Sequence, residues 1–90
     1  MDRIFGTVIR ELREDAGLSQ ELAAATTGVA QSSLSQLEDG KSWPRRKTVL
    51  RICDGLGVPI EDFFLRVADQ IQKTPSSAWE MADWPYERER

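Results

Sequence analysis

Apolar positions recur at helical spacing along most of the chain and mark out five helices. The first is predicted from about Asp2 to Ala16, with Phe5, Val8, Ile9 and Leu12 as its inner stripe, Asp2 as a cap and Gly17 as its stop. Ser19 is placed to cap a second helix, Gln20 to Thr27, which is rich in Ala and closes on Gly28. Val29 is an apolar anchor in the turn. A third helix starts at Gln31, with Leu34 and Leu37 three apart on one face, and Gly40 stops it. The fourth spans about Arg46 to Leu56, with Val49, Leu50, Ile52, Cys53 and Leu56 inward and Gly57 closing it. Pro59 suits the first turn of the fifth, whose apolar row is Ile60, Phe63, Phe64, Val67 and Ile71.

The third helix is unusual on its polar side. Opposite the two leucines stand Gln31, Ser32, Ser35 and Gln36, and the run from Gln31 to Gln36 carries no charge. A solvated helix face normally uses Lys and Glu, which form helices better. Amide and hydroxyl side chains are the groups that read base edges in a major groove, Gln pairing bidentately with adenine.

The stretch Gln20 to Leu37, QELAAATTGVAQSSLSQL, resembles the helix-turn-helix of the phage repressor and Cro type. Gln20 takes the first position, Ala24 the small fifth, Gly28 the turn, Val29 the next apolar, and Leu34 and Leu37 the later core positions. Leu18-Ser19-Gln20 opens the motif, Leu37-Glu38-Asp39-Gly40-Lys41 closes it, and Thr48 to Val58 is similar to the family's fourth helix and its exit. The similarity runs ungapped over residues 4 to 65. It implies an all-α, five-helix, lambda-repressor-like domain over residues 1–73 that binds double-stranded DNA. Gln31, Ser32, Ser35 and Gln36 are then expected to read bases, and Gln20, Ser33, Lys41, Ser42, Arg45 and Arg46 to hold phosphates. The resemblance also implies that Arg13 pairs with Glu38, either as a buried lock between helices 1 and 3 or as a surface pair. The chain departs from the family pattern in two places. Ala23 and Thr27 stand where large apolar residues are usual, with Leu22 one place early, and the ungapped register turns Ala23 and Thr27 inward. Ala30 replaces the usual Ser or Thr cap of the third helix, which forfeits about 1 kcal/mol.

Charge changes the picture only locally. The 90 residues carry a net −3, yet residues 41–60 hold five basic groups and one acidic. That block follows the candidate reading helix directly, and a local patch governs attraction within a Debye length of about 8–10 Å. The loop is either a set of backbone clamps or simply solvated. Trp43 within it is expected to pack on the domain edge rather than lie on a sugar.

A chain this short buries only about 60–65% of its unfolded surface, so dimerisation would help it. Ile60, Phe63 and Phe64 suffice for the domain, and Val67 and Ile71 continue the stripe beyond it. Phe64, Val67 and Ile71 are therefore the expected homodimer interface, which would present two reading helices to a palindromic site. Thr74-Pro75-Ser76-Ser77 reads as a linker, and Ala78 to Arg90 as an acidic tail carrying Trp79, Met81, Trp84 and Tyr86. The tail either folds back, crosses to a partner subunit or docks on another protein.

One Cys leaves no disulfide framework or Cys-based zinc site, and no cofactor or metal is expected. With no His and no phosphate-binding glycine loop, an enzyme is a poor reading. No signal peptide or apolar span is evident, so a cytoplasmic location is the expectation. The leading function is a sequence-specific transcriptional regulator of repressor type. The alternative is a protein-interaction module, such as an antitoxin or regulator-binding subunit, on the same fold.

Overall fold

The computed structural model describes residues 3–73. They form five helices: α1 (Ile4–Asp15), α2 (Gln20–Thr27), α3 (Gln31–Glu38), α4 (Arg46–Leu56) and α5 (Ile60–Lys73). Asp2, the linker and the aromatic tail lie outside the described residues. No described helix is long and apolar enough to cross a membrane.

Local chemistry sets the boundaries that matter to the reading helix. The Ser19 hydroxyl accepts from the Leu22 amide at 3.1 Å, satisfying one orphan donor of α2. Gly28 ends α2 with φ at 76°, a left-handed conformation that costs glycine little. The Thr27 hydroxyl donates back to the Ala23 carbonyl and accepts from the Val29 amide, so the turn into α3 is fastened from within. Ala30 gives α3 no side-chain cap. At the other end, Gly40 at φ 76° lets its amide bond the Leu37 carbonyl and the Lys41 amide bond that of Gln36.

The core collects Phe5, Val8, Ile9 and Leu12 from α1, Leu34 and Leu37 from α3, Val49, Ile52 and Cys53 from α4, and Phe63 and Val67 from α5. Phe63 stacks on Phe5, and Trp43 meets the same Phe5 ring edge-on at 5.7 Å, which packs the Trp43 ring on the domain. Burial of its thiol pushes the Cys53 pKa up, as for an inert core cysteine.

The ungapped register holds in α2. Ala23 is 1% exposed and Thr27 is buried, whereas Leu22 points to solvent. Small side chains suffice there because α4 comes so close. A methyl on Gly55 would sit 2.6 Å from the Thr26 carbonyl oxygen and from the Thr27 Cα. Gly6 plays the same part between α1 and α3, where a methyl would meet the Leu37 and Glu38 carbonyl oxygens, the latter at 2.8 Å. These obstacles are backbone and cannot swing aside. Gly6→Ala and Gly55→Ala are each expected to cost about 1–3 kcal/mol despite alanine's better helix propensity. A thermal melt followed by circular dichroism should show drops of about 4–8 °C per kcal/mol.

Four expectations from the apolar pattern need correction, the first being Ile60, expected in the core but left exposed at the start of α5. Leu50 is exposed, because the inward face of α4 is already filled by Val49, Ile52 and Cys53. Phe64 is 44% exposed, since Phe63 takes the core position and its neighbour turns about 100° away, its ring meeting that of Phe63 edge-on. Val67 is not surplus surface for a partner. It is 4% exposed and belongs to the apolar core where α5 packs on α1, with Arg66 pairing to Glu11 and Asp15 and Gln70 to Glu11 at the edge of that contact. Ile71 is half-buried against the same core. The large apolar side chains that α5 leaves exposed are Ile60, Phe64 and Leu65.

Candidate nucleic-acid interface

α3 is held by its inner side. Leu34, Leu37 and the Glu38 carboxylate are buried, while Gln31, Ser32, Ser33 and Gln36 are exposed and Ser35 is half-buried. By helical spacing Ser32 and Gln36 point most directly outward, Gln31 and Ser35 flank them on one side, and Ser33 lies on the other.

Glu38 anchors the helix. Its side chain is fully buried, and Arg13 grips it with Nε on Oε2 at 2.7 Å and Nη2 on Oε1 at 3.1 Å. Gln20 Nε2 donates to Oε1 at 3.0 Å, and Arg10 Nε lies 3.5 Å from the same oxygen. One carboxylate thus ties α1, α2 and α3 together. Burial pushes the Glu38 pKa up, but the hydrogen bonds from Arg13 and Gln20, with the Arg13 charge and the Arg10 contact, outweigh it and hold the pKa below its ordinary value. The same hydrogen bond raises the Arg13 pKa. Arg10 is therefore not a merely solvated residue of α1, and Gln20, half-buried, is tied into this node through one amide N–H.

Beside the reading face lies a cleft of about 380 Å³ between α3 and α4, floored by the 28–30 turn. It brings together Ser33, Gln36, Ser42 and Arg45. Lys41 and Arg46 are exposed but do not line it, and neither do Gln31, Ser32 and Ser35. Thr48 and Arg51 do line it, and neither stood out in the sequence. Their signal was spacing: Arg45, Thr48 and Arg51 are three apart, along one side of α4 and its N-cap.

Apart from Arg3, which has no ion pair with a described residue, the described cations divide into two groups. Arg10, Arg13, Arg66 and Lys73, all on α1 or α5, form ion pairs. None of Lys41, Arg45, Arg46, Lys47 and Arg51 forms one with a described residue.

Comparison with known proteins identifies the family and the fold. The sequence matches the helix-turn-helix domain family over residues 4–63. It is 36% identical over 74 residues to the HTH-type transcriptional regulator SutR of Escherichia coli, covering 82% of this chain and 40% of that protein. The chain thus spans less than half the length of that relative. It is 34% identical over 56 residues to the HTH-type transcriptional regulator YgzD of Bacillus subtilis, covering 62% of this chain and 85% of YgzD. Among solved structures, a point mutant of the restriction-modification controller protein C.Esp1396I superposes with a TM-score of 0.74 at 25% identity, over 80% of this chain and 94% of that one. With the motif, the five-helix fold and the matched residues in agreement, this chain belongs to the helix-turn-helix domain family.

Proposed function

We propose that the protein is a sequence-specific regulator of transcription that inserts α3 into the major groove of double-stranded DNA. The observation that carries this is the uncharged polar face of α3, held outward by buried Leu34, Leu37 and Glu38 and bordered by cations without described acidic partners. Gln31, Ser32, Ser35 and Gln36 read base edges. Ser33, Lys41, Ser42, Arg45 and Arg46 hold phosphates, fixing register and supplying salt-dependent affinity. Gln20 joins them with its second amide N–H, the first being committed to Glu38.

Regulation is of repressor type, by a homodimer on a palindromic operator. Its contact is the exposed trio Ile60, Phe64 and Leu65 with half-buried Ile71, in place of buried Val67. Exposed apolar side chains on α5 also favour the second reading, a module that docks on another protein. Selection of bound duplexes from a random pool separates the two. The DNA reading expects recovered sites that are palindromes, with half-site centres about 10–10.5 base pairs apart. Failure to enrich any sequence at low salt would favour the protein-docking module.

A further inference from the structure

We propose that the cleft between α3 and α4 seats a backbone phosphate of the bound duplex, and that Thr48 and Arg51 are DNA-contacting residues. The inference rests on the DNA-binding reading above and extends the interface from the loop onto the body of α4.

The cleft's chemistry suits an anion. Its polar side chains are the hydroxyls of Ser33, Ser42 and Thr48, the amide of Gln36, and the guanidinium groups of Arg45 and Arg51. Among the described residues no carboxylate lines it. Arginine presents planar N–H pairs that match phosphate oxygens, and hydroxyls supply further donors. Val29, Leu37, Trp43 and Pro44 also line the cleft, and such apolar surroundings strengthen a charge-assisted hydrogen bond relative to open water.

The location suits a duplex in particular. Gln36 belongs both to the cleft wall and to the outward face of α3, and Ser33 flanks that face. A phosphate seated here lies beside the base that Gln36 would read, so it would set the register of that contact. Arg51 is exposed and carries no ion pair with a described residue, so no described carboxylate has to be displaced. Arg66 is the contrast: it is held by Asp15 at 2.8 Å and by Glu11 at 3.6 Å.

The test uses the full chain and fluorescence anisotropy across a KCl series, on one selected duplex and one scrambled duplex. Arg51→Gln is expected to weaken binding to both by about the same factor, roughly tenfold. The slope of log K against log salt should become shallower by about 0.9 per protomer, with the ratio between the two duplexes unchanged. Arg51→Lys should restore the slope, Thr48→Val should give a smaller uniform loss, and Arg66→Gln should leave the slope alone. Melting temperatures well above the assay temperature would show that every variant is folded. If wild type binds and Arg51→Gln keeps its affinity and slope, or instead changes the ratio between duplexes, the phosphate seat is wrong while the DNA reading survives. If wild type binds neither duplex at low salt, the DNA reading falls and takes the seat with it.

Discussion

Arg13→Ala should be the most destabilising surface-to-core change in the domain, costing about 3–5 kcal/mol. The reason is what stays behind. The Glu38 side chain is fully buried, whereas that of Arg13 is 13% exposed. Without Arg13 the carboxylate keeps only Gln20 at 3.0 Å and Arg10 at 3.5 Å, and a buried charge loses its principal partner. Domains of this size have a total stability of about 5–13 kcal/mol, so the change removes a large part of it. At about 4–8 °C per kcal/mol the melting temperature falls by some tens of degrees. Glu38→Ala should cost less, because the stranded Arg13 keeps the Leu18 carbonyl at 2.8 Å and partial contact with water.

The pH dependence gives this prediction a second signature. In the wild type the Glu38 pKa is depressed, so its contribution is fully present above the unfolded value of about 4.3 and is lost as pH falls through the folded value. In Arg13→Ala the balance reverses. Desolvation, already the largest single influence on this carboxyl, meets weaker opposition and lifts the folded pKa above the unfolded one. That variant's penalty is then greatest at neutral pH and shrinks as Glu38 takes up a proton. Melting curves at pH 7 and pH 4 should therefore converge for variant and wild type. A constant gap of under about 1 kcal/mol at both values would mean a screened surface pair instead.

How much of this was legible in the sequence depends on whether the signal was local. Ser19, Gly28 and Gly40 mark helix ends through their own backbone chemistry, and those ends lie where the residues indicate. The polar face of α3 was readable because one helix sets it against Leu34 and Leu37. What escaped depends on how helices meet. Val67 has the same period as a partner-seeking residue, and only the packing of α5 on α1 puts it in the core. Ala23 looks like a lost core position until Gly55 is seen to bring α4 against that turn of α2. Nothing local in the sequence joins Arg10 to Gln20, expected only to hold a phosphate, yet both converge on one carboxylate from different helices. Arg51 lies outside the helix-turn-helix proper, and only the packing of α4 on α2 brings it to the same cleft as Gln36.

Replacing Gln31 and Gln36 together by Ala should abolish base preference while leaving the protein as stable as before. Both side chains are exposed, so the change in stability should stay within about 0.5 kcal/mol, and alanine is the better helix former. Lost affinity therefore could not be blamed on unfolding. A good bidentate contact to a base edge is worth about 1–3 kcal/mol, roughly 5- to 150-fold in affinity, and a twofold dimer loses it in both half-sites. The scrambled duplex should be bound nearly as before, because the cations at Lys41, Arg45 and Arg46 are untouched. The slope of affinity against salt should likewise persist, opposite to the result expected when a phosphate-holding arginine is removed. This opposition makes the pair of experiments decisive, since general damage to the domain would move both quantities together. A double variant that still prefers the selected operator by the wild-type ratio would show that the amides of α3 do not read the groove.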